Sequence, residues 1–293
     1  MILDLPSPFA VVSHDAGAAS HILEWVAAER PSCRTFLSGP ARDLWQRRLP
    51  GVVPAATLDA ALDGARAVLT GTGWSSDLEH AARARARELG LHSVAVVDHW
   101  VNYPMRFERQ GTRVLPDEIW VTDPWAVAIA RQCFHGLRVV EKPNLYLEAQ
   151  LAGIGPVAQA SDDVLFVLEP ARDDWGRGEP GEFQALDYFL SRRADLGLPA
   201  GATVRLRPHP SDPPGKYHAW VERHSVERVC MDRSASLAEA ISGCRWVAGL
   251  HSAAMVVALA AGRRVVCALP PWGPPIALPQ PEIVQLRRIA GHT

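Results

Sequence analysis

Short apolar segments that end in a polar turn and lead into a helical pattern recur along the whole chain. The first is Phe9-Ala-Val-Val-Ser13, which passes through a turn of small residues into a predicted helix over residues 19–29. The segment Ser93 to Val97 is apolar on both faces, which is typical of a strand inside a parallel sheet. Strands that alternate with helices predict an α/β fold of doubly wound parallel sheets.

The alternation occurs twice, and a stretch containing proline and glycine separates the two series. A chain of 293 residues is also longer than most single domains. We therefore predict an N-terminal α/β domain over residues 1–143, a linker over residues 144–160 and a C-terminal α/β domain over residues 161–293. We expect the two domains to form a cleft.

Composition excludes several classes of protein. The formal charge of -2 and the pI near 6.6 give no basic field for nucleic acid or for an anionic membrane. The longest apolar run, over residues 253–262, is about half a membrane span, so we expect a cytoplasmic protein with at most peripheral membrane association. The five cysteines are odd in number, lack a CxxC pair and fall mostly in elements predicted to be buried, which favours a reducing compartment without structural zinc.

One polar loop suits an anion. The loop Arg205-Leu-Arg-Pro-His-Pro-Ser-Asp212 follows a predicted strand, and ligands of open α/β sheets bind outside the carboxyl ends of strands. Its two prolines stiffen the chain on either side of the histidine. We expect Arg207, His209, Pro210 and Lys216 to bind a phosphate. An ordinary polar loop with a capping histidine is the alternative.

A second predicted anion site lies at a helix start. The turn Gly249-Leu-His-Ser252 precedes an apolar helix, whose first backbone N–H groups are free to bind an anion. We therefore include Gly249, His251 and Ser252 among the donor-binding candidates. Ser252 would serve equally well as a simple helix cap.

Two aspartates are candidates for a general base. Asp98 follows an apolar strand, is adjacent to His99 and Trp100, and has no predicted helix to cap. Asp15 stands beside His14 in the first strand-to-helix turn, where capping of the next helix is its alternative role. We name Asp98, Asp15 and His99 as catalytic candidates. No Asp-x-Asp metal pair is evident, so we expect neither a metal nor a cofactor.

Three loops of the first domain should line the acceptor side of the cleft. The loop after Asp98 is long, and long loops in compact domains are usually functional. We also expect Arg83 and Arg87 on the solvent face of a helix that ends near Gly90. The predicted cleft residues are His14, Gly17, Gly71, Thr72, Gly73, Trp100, Asn102 and Tyr103.

The pattern of two α/β domains, with Arg207-Pro-His-Pro210 after a strand and a serine at a later helix start, resembles GT-B glycosyltransferases. More narrowly, it is similar to bacterial enzymes that use CMP-activated sialic acid or Kdo, and to CDP-glycerol polymerases. The resemblance implies two Rossmann-like domains, with donor nucleotide and phosphate bound by His209, Pro210 and Ser252. In those families an acidic residue, often in an Asp-Asp-Gly or Glu-Asp-Gly loop, is the base. Val97-Asp-His-Trp100 lacks that glycine and second acid.

The function implied is an inverting, metal-independent transferase of polysaccharide biosynthesis. It would move an acidic sugar, of the sialic acid, nonulosonate or Kdo type, from a CMP donor to a glycan, lipid-linked or protein acceptor. A non-hydrolysing UDP-sugar 2-epimerase is one alternative, because it shares the two-domain architecture. A non-catalytic module that binds a nucleotide sugar is another.

Overall fold

The computed structural model describes residues 1–171, 173–199 and 201–289. The chain divides into two compact units, Met1–Tyr146 and Leu147–Thr293. The stretch predicted as a linker, residues 144–160, contains the helix Leu145–Ala152 and a short 3-10 turn at Val157–Gln159. The division between the units therefore falls inside a helix.

The first unit is a parallel sheet of six strands with helices between them, and a small antiparallel hairpin (β5 and β6) is inserted before the fifth sheet strand. The order across the sheet is β2-β1-β3-β4-β7-β8. In chain order the elements are β1 (Phe9–Ser13), α1 (Ala16–Glu29), β2 (Cys33–Leu37), α2 (Gly39–Arg48), α3 (Leu58–Leu62), β3 (Ala67–Thr70), α4 (Leu78–Glu88), β4 (His92–Val96), β5 (Glu108–Arg109), β6 (Thr112–Arg113), β7 (Glu118–Val121), α5 (Pro124–Cys133), β8 (Arg138–Glu141) and α6 (Leu145–Ala152).

Both faces of this sheet are buried, which explains the continuous apolar strands. Phe9 and Val11 of β1 pack into one core cluster, whereas Ala10 and Val12 pack into another on the opposite face. Because side chains alternate across a strand, a strand buried on both faces must be apolar at every position. The periodicity of the sequence therefore predicted this sheet well.

The second unit repeats the architecture, with the parallel order β11-β10-β9-β12-β13-β14. Its elements are β9 (Ser161–Val167), α7 (Gly181–Arg192), β10 (Val204–Arg207), α8 (His218–Arg223), β11 (Val229–Met231), α9 (Leu237–Ser242), β12 (Cys244–Gly249), α10 (Ala253–Ala260), β13 (Arg264–Cys267) and β14 (Val284–Gln285). A 3-10 turn, Ser225–Glu227, precedes β11. The short strand β14 pairs in parallel with β13 at the edge of the sheet.

The cysteines are less buried than the sequence analysis predicted. Cys244 and Cys267 are buried, but Cys133 on α5 and Cys230 on β11 are exposed. Burial raises the pKa of Cys33, and that of Cys267, to about 11. Among the helices of the described residues, none is both long enough and apolar enough to cross a bilayer.

Candidate functional site

The loops that follow β1, β3 and β4 meet at one edge of the first sheet. These three strands are neighbours and parallel, so their carboxyl ends lie side by side. The structure thus brings together His14 and Asp15, the loop Gly71 to Trp74, and Asp98. This is the edge at which ligands of parallel α/β sheets bind.

Two glycines let the carboxylates of this edge approach the backbone. A Cβ at Gly17, in the first turn of α1, would lie 1.7 Å from Oδ2 of Asp98. A Cβ at Gly73 would lie 2.0 Å from Oδ2 of Asp15. Any larger residue at either position would displace a carboxylate, so these glycines make room for protein side chains.

Asp15 and His14 form a hydrogen-bonded pair. His14 Nδ1 lies 2.6 Å from Asp15 Oδ1, and Asp15 also accepts hydrogen bonds from Ser75 Oγ and, at 2.7 Å, from Trp74 N. Burial alone would raise the pKa of Asp15, but these hydrogen bonds outweigh it and lower the pKa. The alternative role of Asp15 as a side-chain cap of α1 is wrong, because its carboxylate makes no capping hydrogen bond.

Asp98 is held by an arginine that the sequence analysis did not single out. Arg106 Nη1 donates to Asp98 Oδ1 at 3.0 Å and to Thr72 Oγ1 at 3.3 Å, and its Nε donates to Val101 O at 3.1 Å. The Arg106 side chain is 6% exposed, against 22% for Asp98. The carboxylate therefore reaches solvent while its counter-ion is buried beneath it.

Glu79, at the start of α4, organises the turns around the pair. Oε1 accepts from Ser13 Oγ and His14 N, both at 3.1 Å, and Oε2 accepts from Gly73 N at 2.5 Å. Burial raises the pKa of Glu79, and the hydrogen bonds from His14 N and Gly73 N oppose that shift. Glu79 was not among the predicted site residues. Its position in a Ser-Ser-Asp-Leu-Glu segment beside a glycine turn was the available signal.

Arg83 is buried, so its predicted place on the solvent face was wrong. Its guanidinium donates to Thr70 Oγ1 at 3.1 Å and to Gly71 O at 2.9 Å, and lies 5.2 Å from the centre of the Phe107 ring. Burial lowers its pKa to about 10. The arginine thus supports the Gly71 turn from below.

Of the predicted cleft residues, Thr72 and Tyr103 are buried and hold loops in place. Thr72 Oγ1 donates to Val96 O at 3.0 Å, and the hydroxyl of Tyr103 lies 3.5 Å from Ala126 O. These contacts leave neither side chain exposed to an acceptor, which corrects their assignment as cleft lining.

The other predicted residues of the loop that contains Asp98 are partly or fully exposed. Trp100 Nε1 donates to Asp123 Oδ2 at 3.0 Å. His99 packs against Trp100 at 5.3 Å between ring centres, and burial lowers the pKa of His99. Asn102 is exposed, with a φ of 62°. His99 and Trp100 thus pack beside Asp98, while Asn102 turns the chain at the surface.

The second sheet also collects polar groups at its carboxyl edge. Strands β10, β9 and β12 are neighbours, so His209, Glu169 and His251 follow adjacent strand ends. Glu169 Oε1 accepts from His251 N at 2.9 Å, and burial raises the pKa of Glu169. Glu169 was not among the predicted site residues.

Ser252 caps α10, since its Oγ accepts from Ala254 N at 3.3 Å. Gly249 permits close strand packing, because a Cβ there would lie 2.9 Å from Val167 O. Both residues therefore have structural roles at the start of the helix. The anion site predicted at the start of α10 stays a prediction.

The cations predicted to bind phosphate have acidic partners within the unit. Arg207 Nη1 lies 2.6 Å from Asp232 Oδ2. Lys216 Nζ lies 2.8 Å from Asp212 Oδ1 and 2.5 Å from Glu182 Oε1. Burial lowers the pKa of Lys216, but its hydrogen bonds to Asp212 and Glu182 outweigh burial and raise it.

His209 and Pro210 are exposed at the tip of this loop. His209 Nδ1 is 2.7 Å from Ser211 Oγ, and His209 N donates to Asp212 Oδ2 at 2.9 Å. The loop is therefore tied to itself, with the imidazole turned to the surface. Among the described residues, no three His, Cys, Asp or Glu side chains are grouped to hold a metal ion.

Comparison with known proteins identifies the fold. No protein-family model matches the chain, and no curated protein matches it. A solved structure of a proposed UDP-N-acetylglucosamine 2-epimerase from Listeria monocytogenes matches with a TM-score of 0.60 and 12% identity, covering 88% of this chain and 78% of that one. The kitacinnamycin glycotransferase matches with a TM-score of 0.49 and 12% identity, covering 89% and 80%.

The wall teichoic acid polymerase TagF matches with a TM-score of 0.45 and 13% identity, covering 88% of this chain and 69% of that one. At these identities the similarity shows the fold alone. The chain has the α/β architecture of two Rossmann-like domains that was predicted as GT-B-like.

Proposed function

We propose that this protein is a nucleotide-sugar-dependent glycosyltransferase whose first unit binds the acceptor and whose second unit binds the donor nucleotide. The observation that carries the proposal is the His14–Asp15 pair beside Asp98 at the ligand-binding edge of the first sheet. A transferase of this kind needs a group that takes a proton from an acceptor hydroxyl.

The geometry favours His14 as the group that takes the proton. With Nδ1 bound to Asp15, the imidazole is held in one orientation, and Nε2 has no hydrogen-bond partner within the described chain. Asp15 would stabilise the imidazolium that forms after proton transfer. Asp98, the base predicted from the sequence, is the alternative acceptor, but its Oδ1 already accepts a hydrogen bond from the buried Arg106.

In the second unit the leaving nucleotide phosphate would lie at the start of α10, beside His209. Arg207 and Lys216 are already matched by carboxylates, so the imidazole of His209 and the positive end of the α10 dipole would supply most of the stabilisation. We propose CMP as the nucleotide and an acidic sugar as the transferred group, in an inverting reaction without a metal. This finer proposal rests on the family resemblance of the His-Pro loop.

A 2-epimerase is the second candidate. Two separate titratable sets, the His14–Asp15 pair and Asp98, lie at one sheet edge, and an epimerase needs both an acid and a base at one sugar. The description of the Listeria monocytogenes structure as a proposed 2-epimerase agrees with this alternative.

A nucleotide panel tests the proposal. CMP or CDP at about 100 times its dissociation constant should stabilise the protein by about 2.7 kcal/mol, more than UDP or GDP at equal concentration, in a thermal-shift assay. His209→Ala should weaken nucleotide binding by about 1.5–3 kcal/mol, the range for a hydrogen bond to a charged group. Preference for UDP would refute the CMP donor.

Turnover assays separate the remaining alternatives. A transferase releases nucleotide only when an acceptor is present. An epimerase interconverts a UDP-sugar on its own and exchanges a sugar carbon-bound proton with deuterated water. A binding module gives the thermal shift and neither reaction.

A further inference from the structure

Two large apolar side chains are exposed beside the His14–Asp15 pair. Trp74 follows β3 and is 42% exposed, and Met105 lies in the loop after β4 and is 58% exposed. We call these two residues the Trp74 rim. Exposed aromatic groups at the edge of a polar site are typical of recognition surfaces.

The rim is held rigidly from both sides. Trp74 N donates to Asp15 Oδ2 at 2.7 Å. Arg109 donates to Gly73 O at 2.5 Å and to Met105 O at 3.3 Å, so one guanidinium joins the two loops that carry the rim. A preformed aromatic surface of this kind loses little conformational entropy when it binds a ligand.

The rim is also directly connected to the proposed chemistry. Asp15 contacts both His14 and the backbone of Trp74, and Arg106, the ion-pair partner of Asp98, lies 5.7 Å from the centre of the Trp74 ring. The indole therefore belongs to the same sheet edge as the residues of the proposed chemistry.

The charges around the rim favour a neutral ligand. Arg106 is paired with Asp98 at 3.0 Å, and Arg109 is paired with Asp77 at 3.2 Å. Each guanidinium thus has a carboxylate partner. The rim therefore carries no net positive charge that would select an acidic group. An indole face is electron-rich and packs well against the polarised C–H groups of a sugar ring.

We propose that Trp74 is the stacking platform for a neutral pyranose ring of the acceptor. This inference rests on the proposed function of the first unit and specifies its substrate class. It makes the acceptor a glycan with one neutral ring that lies on the indole.

Saturation-transfer difference NMR tests this, with methyl β-D-galactopyranoside and methyl β-D-glucopyranoside as the probes titrated into the intact protein. We expect binding of at least one probe to the wild type. Trp74→Ala should weaken it about tenfold, equal to about 1.4 kcal/mol. Trp74→Phe keeps an aromatic face and should retain most of the affinity. Leu89→Ala is the matched control, because Leu89 is 44% exposed and lies at the other end of α4.

Unchanged affinity in Trp74→Ala would overturn the proposal. So would a wild type that binds 1-hexanol but neither pyranoside, because that result indicates a lipid-like ligand. The thermal shift with CMP is measured on every variant. If the pyranoside effect appears while no nucleotide shifts the wild type, the proposed function fails and the platform stands.

Discussion

At the carboxyl edge of the first sheet, charged groups contact one another and the turns that carry them. At the same edge of the second sheet, the cations predicted to bind phosphate form ion pairs with carboxylates of their own unit. Asp15 connects His14 to the Trp74 loop, and Asp98 lies over a buried Arg106. Arg207 instead pairs with Asp232, whose side chain is fully buried. The first edge brings His14, Asp15 and Asp98 together, whereas at the second edge Arg207 and Lys216 are held in ion pairs.

This contrast shows that a motif visible in sequence and a prepared site need not coincide. The His-Pro loop is the most distinctive segment of the sequence, yet two of its cations are neutralised within the unit. The first edge has no comparable motif, but Asp15, Glu79 and Arg106 fix the orientation of its side chains and turns by hydrogen bonds.

The largest effect expected from this contrast is on turnover. His14→Gln should lower turnover about 10²–10⁴-fold, because it removes the proposed proton acceptor while the fold around Asp15 remains. Nucleotide affinity, measured by thermal shift, should stay within about twofold. His135→Gln is the control, since His135 is an exposed histidine of the same unit.

Asp98→Asn completes that experiment. If Asp98→Asn abolishes turnover in a folded protein and His14→Gln does not, the base predicted from the sequence is the correct one. In that case the His14–Asp15 pair would serve to position the Trp74 loop.

The second expected effect is on the free energy of unfolding and concerns the carboxyl edge of the second sheet. Asp232 accepts from Arg207 at 2.6 Å, from Arg205 at 3.4 Å and from Ser234 Oγ at 2.9 Å. Asp232→Asn should lower the free energy of unfolding by about 3–5 kcal/mol, measured by urea denaturation, because it leaves two guanidiniums without their buried counter-ion.

The control for Asp232 is the exposed pair of Arg245 and Asp162, which are 3.0 Å apart. Asp162→Asn should cost less than about 1 kcal/mol. Equal losses of unfolding free energy in the two variants would mean that the Asp232 ion pairs stabilise the second edge no more than an exposed pair does.

The smallest effect is a dependence on pH at the first edge. Because its hydrogen bonds lower the pKa of Asp15 below the ordinary 3.8, Asp15 stabilises the fold above that value and loses this contribution as the pH falls through the lowered pKa. The difference in unfolding free energy between wild type and Asp15→Asn should therefore shrink as the pH falls below about 4. A difference that grows on acidification would contradict the assignment.

The sheets and the location of the first edge could be predicted because they depend on local patterns. Apolar strands buried on both faces and polar turns after them marked the ends of β1, β3 and β4. Parallel pairing then placed His14, Asp15 and Asp98 together.

The supporting residues could not be predicted, because their roles depend on contacts distant in sequence. Arg83 and Glu79 stand on a helix whose charged positions look solvent-exposed by periodicity, yet both point into the polar edge of the sheet. Nothing near Arg207 indicates that Asp232, twenty-five residues later, would neutralise it. Ion pairing across a fold has no local signature.

The distribution of thiols makes the protein ready for site-specific labelling. Cys133 in the first unit and Cys230 in the second are exposed, while Cys244 and Cys267 are buried. Burial also raises the pKa of Cys33 to about 11, which keeps its reactive thiolate scarce at neutral pH. A maleimide dye or spin label should therefore enter once in each unit of the unaltered sequence. The distance between two such labels, followed as CMP is added, would show whether this nucleotide changes the separation of the two labelled sites.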